Sequence, residues 1–99
     1  MEHSLVKKYT RDIQGIQQFG SRLREIRKSK GLSQEQLAFE ADVELSQISR
    51  IERGIINTSI SQIFQIAHAL AIHPKEMFDF EVQKKVDWIL HNSFIFNGL

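Results

Sequence analysis

The chain has 99 residues, 41% apolar and 25% charged, with 13 Lys+Arg against 12 Asp+Glu for a net charge of +1. That is enough chain for one domain, and the composition is too apolar for a disordered one. The absence of Cys, the single Pro and the five Gly exclude disulfide scaffolds, thiolate metal sites, cysteine nucleophiles and a turn-rich all-β fold.

Residues 1–18 carry a weak amphipathic pattern, Leu5, Val6, Tyr9, Ile13 and Ile16, and read as an N-terminal arm or an extension of the first helix. Phe19, Leu23 and Ile26 then recur at helical spacing and predict a first helix that Gly31 closes. Ser33-Gln34-Glu35-Gln36 has the form of a capping box and opens a second helix running to about Ala41, with Leu37, Ala38 and Ala41 inward. Beyond Asp42-Val43-Glu44 a third helix, 45–53, turns Ile48 and Ile51 inward and stops at Gly54. Ser59-Ile60-Ser61-Gln62 is a second capping-box pattern, opening a fourth helix with Ile63, Ile66, Ala67 and Leu70 on one stripe. Pro74 suits the first position of a short fifth helix with His73 as its N-cap and with Met77 and Phe78 inward. No sustained period-two alternation occurs in residues 19–80, so an all-α domain is expected there.

Residues 81–99 form a separate apolar tail. Val82, Val86, Ile89 and Leu90 share a helical stripe beside Trp88, and Phe94, Ile95 and Phe96 follow. So apolar a segment should be covered, either by its own domain near Phe39, Phe64 and Phe80 or by a second subunit, which makes Val82, Val86, Ile89, Leu90, Phe94 and Phe96 a candidate dimer interface.

The near-neutral total hides an uneven distribution. Arg22, Arg24, Arg27, Lys28 and Lys30 face only Glu25 within residues 20–31, whereas residues 32–59 set Arg50 and Arg53 against Glu35, Glu40, Asp42, Glu44 and Glu52. No apolar run has the length of a membrane span and no secretory leader precedes the first helix, so a soluble, cytoplasmic protein is expected. His3, His68, His73 and His91 lack metal-ligand spacing, and there is no nucleophile elbow or phosphate-cradling loop. No metal, cofactor or enzymatic activity is expected.

The short link between the second and third helices forces a steep crossing, as in a helix-turn-helix. Ala38 is small where the helices would approach, Val43 would plug the corner, and Ile48 and Ile51 would meet Ala38. The runs RLREIRKSKGLSQEQLAFEADVELSQISRIERG and SISQIFQIAHALAIHPKEMF resemble the phage-repressor/Cro-like, or xenobiotic-response-element, helix-turn-helix family over residues 20–80. Within it they look most like controller proteins of restriction–modification systems. The resemblance implies a five-helix, lambda-repressor-like DNA-binding domain with an extra C-terminal amphipathic segment.

It also implies site residues. The third helix would enter the major groove while the second lies across the backbone. Glu44, Leu45, Ser46, Ser49 and Arg50 occupy base-facing positions, with Arg50 suited to fork onto guanine and Glu44 suited either to cytosine or to capping. Gln34, Gln47, Arg53, Asn57, Thr58 and Ser59 are the candidate backbone contacts, Gln47 alternatively being plain surface. Arg27 and Glu52 would form a structural ion pair, because a charge in the packed corner beside Ile51 and Gly54 needs a bidentate partner. Asp42 stands where the family usually has Gly in a left-handed conformation, and Ala71 where a Gly often ends the fourth helix.

The expected function is that of a sequence-specific transcriptional regulator binding a double-stranded operator as a homodimer, with RNA polymerase as a further possible partner. The main alternative is an antitoxin that binds its own promoter and holds a toxin through the apolar tail. A repurposed RNA-binding or coactivator module is another.

Overall fold

Asp12 opens the first helix: its Oδ1 accepts from the Gly15 N–H at 2.8 Å, satisfying one of the free donors of the first turn. The computed structural model describes residues 11–82. Within them α1 spans Ile13–Ser29, so it starts well before Phe19 and takes in Ile13 and Ile16. Gly31, at φ 72°, adopts the left-handed turn that ends α1.

The first capping box forms as its residues predict. Ser33 Oγ accepts from the Gln36 N–H at 3.0 Å, and Gln36 Oε1 accepts from the Ser33 N–H at 2.7 Å. Helix α2 follows over Gln34–Ala41 and ends on Asp42, which is left-handed at φ 56°. After the short turn, α3 spans Leu45–Glu52 and is closed by Arg53 and a left-handed Gly54. Helix α4 covers Ile60–Leu70 and ends on Ala71 at φ 57°, ψ 43°. An alanine in that basin carries a steric penalty that glycine would not.

Three local expectations are corrected. The Ser59–Gln62 box is only half made: Ser59 Oγ accepts from the Gln62 N–H at 3.1 Å, but the Gln62 side chain turns away instead of reaching back. The fifth helix is a 3-10 turn, Pro74–Phe78, capped by His73 Nδ1 accepting from the Lys75 N–H at 3.1 Å. Met77 is fully buried as expected, but Phe78 is 51% exposed and only leans on Phe19, ring centroids 5.0 Å apart. The tighter 3-10 pitch allows one of the two adjacent apolar residues to reach the core while the other remains at its edge.

The regular structure among the described residues is thus all helical, with no strand. Leu23, Leu37, Ile48, Ile51, Ile66, Leu70 and Met77 form the fully buried centre. Each is worth about 1.5–3 kcal/mol of apolar burial. Helix α3 packs on both α1 and α2, α4 packs on α2, and the 3-10 turn closes against α1 and α4. Ala38 is buried and Val43 packs at the edge of the core, the two places expected for them.

Gly20 permits the α1–α3 approach: a Cβ there would collide with the Ile51 carbonyl oxygen. Arg22 ties α1 to the 3-10 turn, donating from Nε to the Glu76 carbonyl at 2.8 Å and from Nη1 to Glu25 at 2.8 Å. No helix among the described residues is long and apolar enough to cross a membrane. The tail residues Val86, Ile89, Leu90, Phe94 and Phe96 lie outside the described residues. Val82, the last one within them, is 45% exposed.

Candidate nucleic-acid interface

The site is built on a buried charge. Arg27, on the inner face of α1, is 7% exposed and Glu52, at the end of α3, is 6% exposed. Their contact is bidentate: Arg27 Nε donates to Glu52 Oε2 at 2.6 Å and Nη2 to Oε1 at 2.9 Å. Nη1 donates to the Leu32 carbonyl at 2.7 Å, which holds the α1–α2 turn on the same guanidinium. The hydrogen-bonded carboxylate raises the already high pKa of Arg27 despite the opposing cost of burial. Both residues are therefore committed to the fold.

Gln34 joins them. From the first turn of α2, its Nε2 donates to Glu52 Oε1 at 2.9 Å, so the expected pair is a three-residue network across α1, α2 and α3. Of the donors at this end of α2, the Gln34 backbone N–H still lacks an intrahelical acceptor.

Above the network lies an open groove walled by the start of α2 and the outer face of α3. Ser33, Gln34, Glu35, Leu45, Ser46, Ser49, Arg50 and Arg53 line it, with Arg27 at its floor. Leu45, Ser46, Ser49 and Arg50 are thereby brought together with Gln34 and Arg53. Arg50 and Arg53 are exposed, and among the described residues neither guanidinium has a hydrogen-bond partner. Leu45 is 41% exposed.

Glu44 stands apart. It is the residue before α3 but makes no side-chain cap, and it lines a neighbouring depression with Phe39, Asp42 and Val43. The first N–H groups of α3 are therefore left without a side-chain acceptor, an arrangement favourable to phosphate oxygens.

The remaining candidates gather on the other flank of α3. Gln47 Nε2 donates to Gln62 Oε1 at 3.2 Å, and Thr58 Oγ1 donates to the same oxygen at 2.7 Å. Ser59 caps α4. Asn57 and Thr58 also border an apolar hollow lined by Phe19, Ile51, Ile63, Phe78 and Phe80. Gln62 was not foreseen in this group, because its position in a Ser-x-x-Gln pattern pointed to capping. Arg22 and Arg27 are the cations of residues 20–31 with structural duties, while Arg24, Lys28 and Lys30 are exposed. Among the described residues, no group of His, Asp and Glu is arranged to hold a metal.

A short, partly exposed helix held from behind by its neighbours, with a groove beside it and free cations along it, defines a helix-turn-helix DNA-binding regulator. The chain belongs to the helix-turn-helix family, whose profile matches residues 23–77. It is 49% identical over 63 residues to the control protein C.BamHI of Bacillus amyloliquefaciens, covering 63% of this chain and 78% of that one. It is 35% identical over 68 residues to the control protein C.MunI of a Mycoplasma species, covering 68% and 90%. Among solved structures, the restriction–modification controller protein C.AhdI of Aeromonas hydrophila superposes with a TM-score of 0.63 at 48% identity, covering 64% of this chain and 96% of that one. The chain is a homologue of these controller proteins, which are helix-turn-helix transcriptional regulators.

Proposed function

We propose that the protein is a sequence-specific regulator of transcription that binds a double-stranded operator as a homodimer, with α3 in the major groove. The observation that carries this reading is the division of α3. Its inner face is locked by Ile48, Ile51 and Glu52, while Leu45, Ser46, Ser49 and Arg50 face an open groove. Arg50 reads guanine through paired hydrogen bonds, Ser46 and Ser49 contact neighbouring base edges, and Leu45 meets a thymine methyl. Glu44 serves a base at the edge of the site. Gln34, through its backbone N–H, together with Gln47, Arg53, Asn57, Thr58 and Ser59, holds the phosphates on either side. The likeness to the controller proteins C.BamHI and C.AhdI supports control of restriction–modification genes.

One such domain reads few bases, so two-fold symmetry supplies the rest. The apolar tail that begins at the exposed Val82 is the proposed subunit contact. Selection of bound duplexes from a random pool tests the reading. A two-fold symmetric consensus with half-sites about one helical turn apart is expected; a pool with no enriched sequence would overturn it. Removing residues 81–99, Val82 included, should convert the dimer to a monomer in light scattering. A truncated chain that stays dimeric would move the contact to the 3-10 turn Pro74–Phe78 or to the N-terminal segment.

A further inference from the structure

We infer that Gln62 is a positioning residue for the recognition face, a role that rests on the DNA-binding reading above. Gln62 lies in the first turn of α4, where its backbone N–H is already taken by Ser59 Oγ. Its side chain has two places to go. In α2 the equivalent residue, Gln36, folds back onto the N-cap N–H and completes the box. Gln62 forgoes that bond and reaches across to α3 and the loop before α4.

There its Oε1 accepts from Gln47 Nε2 at 3.2 Å and from Thr58 Oγ1 at 2.7 Å. An amide oxygen has two acceptor positions, and both are filled. One atom therefore joins α3, the α3–α4 loop and the start of α4.

This link gives α3 a second directional anchor, beside the one Glu52 makes with Arg27 and Gln34 at the C-terminal end of the helix. Ile48 and Ile51 hold the helix by apolar contact, which is non-directional and tolerates small rotations about the helix axis. Hydrogen bonds are directional. Gln47 sits on the flank of α3 beside Ser46, so holding its amide sets the angle at which Leu45, Ser46, Ser49 and Arg50 face the groove. Base recognition requires side chains placed to within about 0.5 Å. Binding through phosphates alone is far more forgiving. Gln62 thus acts on specificity, through Gln47 and Thr58, without itself touching a base.

The test is Gln62→Met, which keeps the length of the side chain and removes its acceptor. Affinity is measured for the duplex selected by the wild-type chain and for an unrelated duplex, with melting temperature and the Gln47 side-chain amide resonances of the free protein recorded alongside. The selected duplex should bind about five- to tenfold more weakly, because the recognition face must then be ordered at the expense of binding. The unrelated duplex should lose much less, no more than about twofold, the melting temperature should fall by only a few degrees, and the Gln47 amide signals should shift. The double variant Gln47→Met, Gln62→Met should bind no more weakly than Gln47→Met alone, because the two residues act as one unit.

Equal losses on both duplexes, losses that multiply in the double variant, or unmoved Gln47 signals would each overturn the role. A wild-type chain without sequence preference would instead bring down the DNA-binding reading, and the positioning role with it. A wild-type chain with a preference that Gln62→Met leaves intact would bring down the positioning role alone.

Discussion

Arg27 and Arg50 carry the same guanidinium and border the same groove, one buried at its floor and one exposed on its wall, and the difference between them describes how the domain works. Arg27 is buried, with donors committed to Glu52 and Leu32. Arg50 is exposed beside an open groove, with no hydrogen-bond partner among the described residues. The inner side of α3 neutralises its charges with one another, so nothing there is available to a ligand. The outer side leaves them unmatched. A charge count over the whole chain cannot separate the two. The near-neutral total includes an acid, Glu52, and two cations, Arg22 and Arg27, that belong to the fold and not to the surface field.

The sharpest way to break this contrast is Glu52→Ala. It would leave Arg27 buried without its bidentate partner and Gln34 without its acceptor. The expected cost is roughly 3–5 kcal/mol of folding stability, seen as a large drop in melting temperature. An unchanged melting temperature would show that the pair is not the internal brace the geometry describes. Because the pKa of Arg27 is raised, the arginine's share of this stabilisation is present throughout the neutral range. It is lost only as pH rises into strong alkali, where the guanidinium would deprotonate.

On the exposed wall of the groove, Arg50→Ala should leave the melting temperature nearly unchanged while costing roughly 1–3 kcal/mol in binding, confined to one base position. Equal losses against every base at that position would reduce Arg50 to a phosphate contact. The smallest effect belongs to a position away from both faces. Ala71→Gly should stabilise the domain by about 0.5–1 kcal/mol, since relief of the left-handed strain exceeds glycine's extra chain entropy. DNA binding should not change. A destabilised Ala71→Gly variant would mean that the alanine methyl contributes packing larger than its strain.

Most helix boundaries were legible because they are set by local chemistry. Ser33, Ser59 and His73 start helices with side-chain acceptors, while Gly31, Gly54 and Asp42 end them in left-handed turns. The start of α1 was harder to see because Ile13 and Ile16 form only a weak pattern, and Asp12 as a cap lies among polar residues. The Arg27–Glu52 pair was foreseen from the family resemblance and from the need of a charge in an apolar corner for a partner. Gln34 as its third member was not, since a glutamine at a helix start is equally at home facing water. Gln62 was misread for a related reason. Whether it caps its own helix or reaches its neighbour depends on what lies within a few ångströms, and Gln47 and Thr58 reach it only after α3 has packed.

By itself, the order of residues determined where most of the helices begin and end and which residues of α2, α3 and α4 form the core. These follow from backbone capping, left-handed turns and periodicity, all short-range effects. Only the tertiary structure decided which polar side chains remain available for a ligand. It closed Gly20 against the Ile51 carbonyl, spent Arg22 and Arg27 on the fold, and left Arg50 and Arg53 in the groove. The reason is physical: a hydrogen-bond partner is set by distance in space, and the residues that compete for it are far apart in the chain.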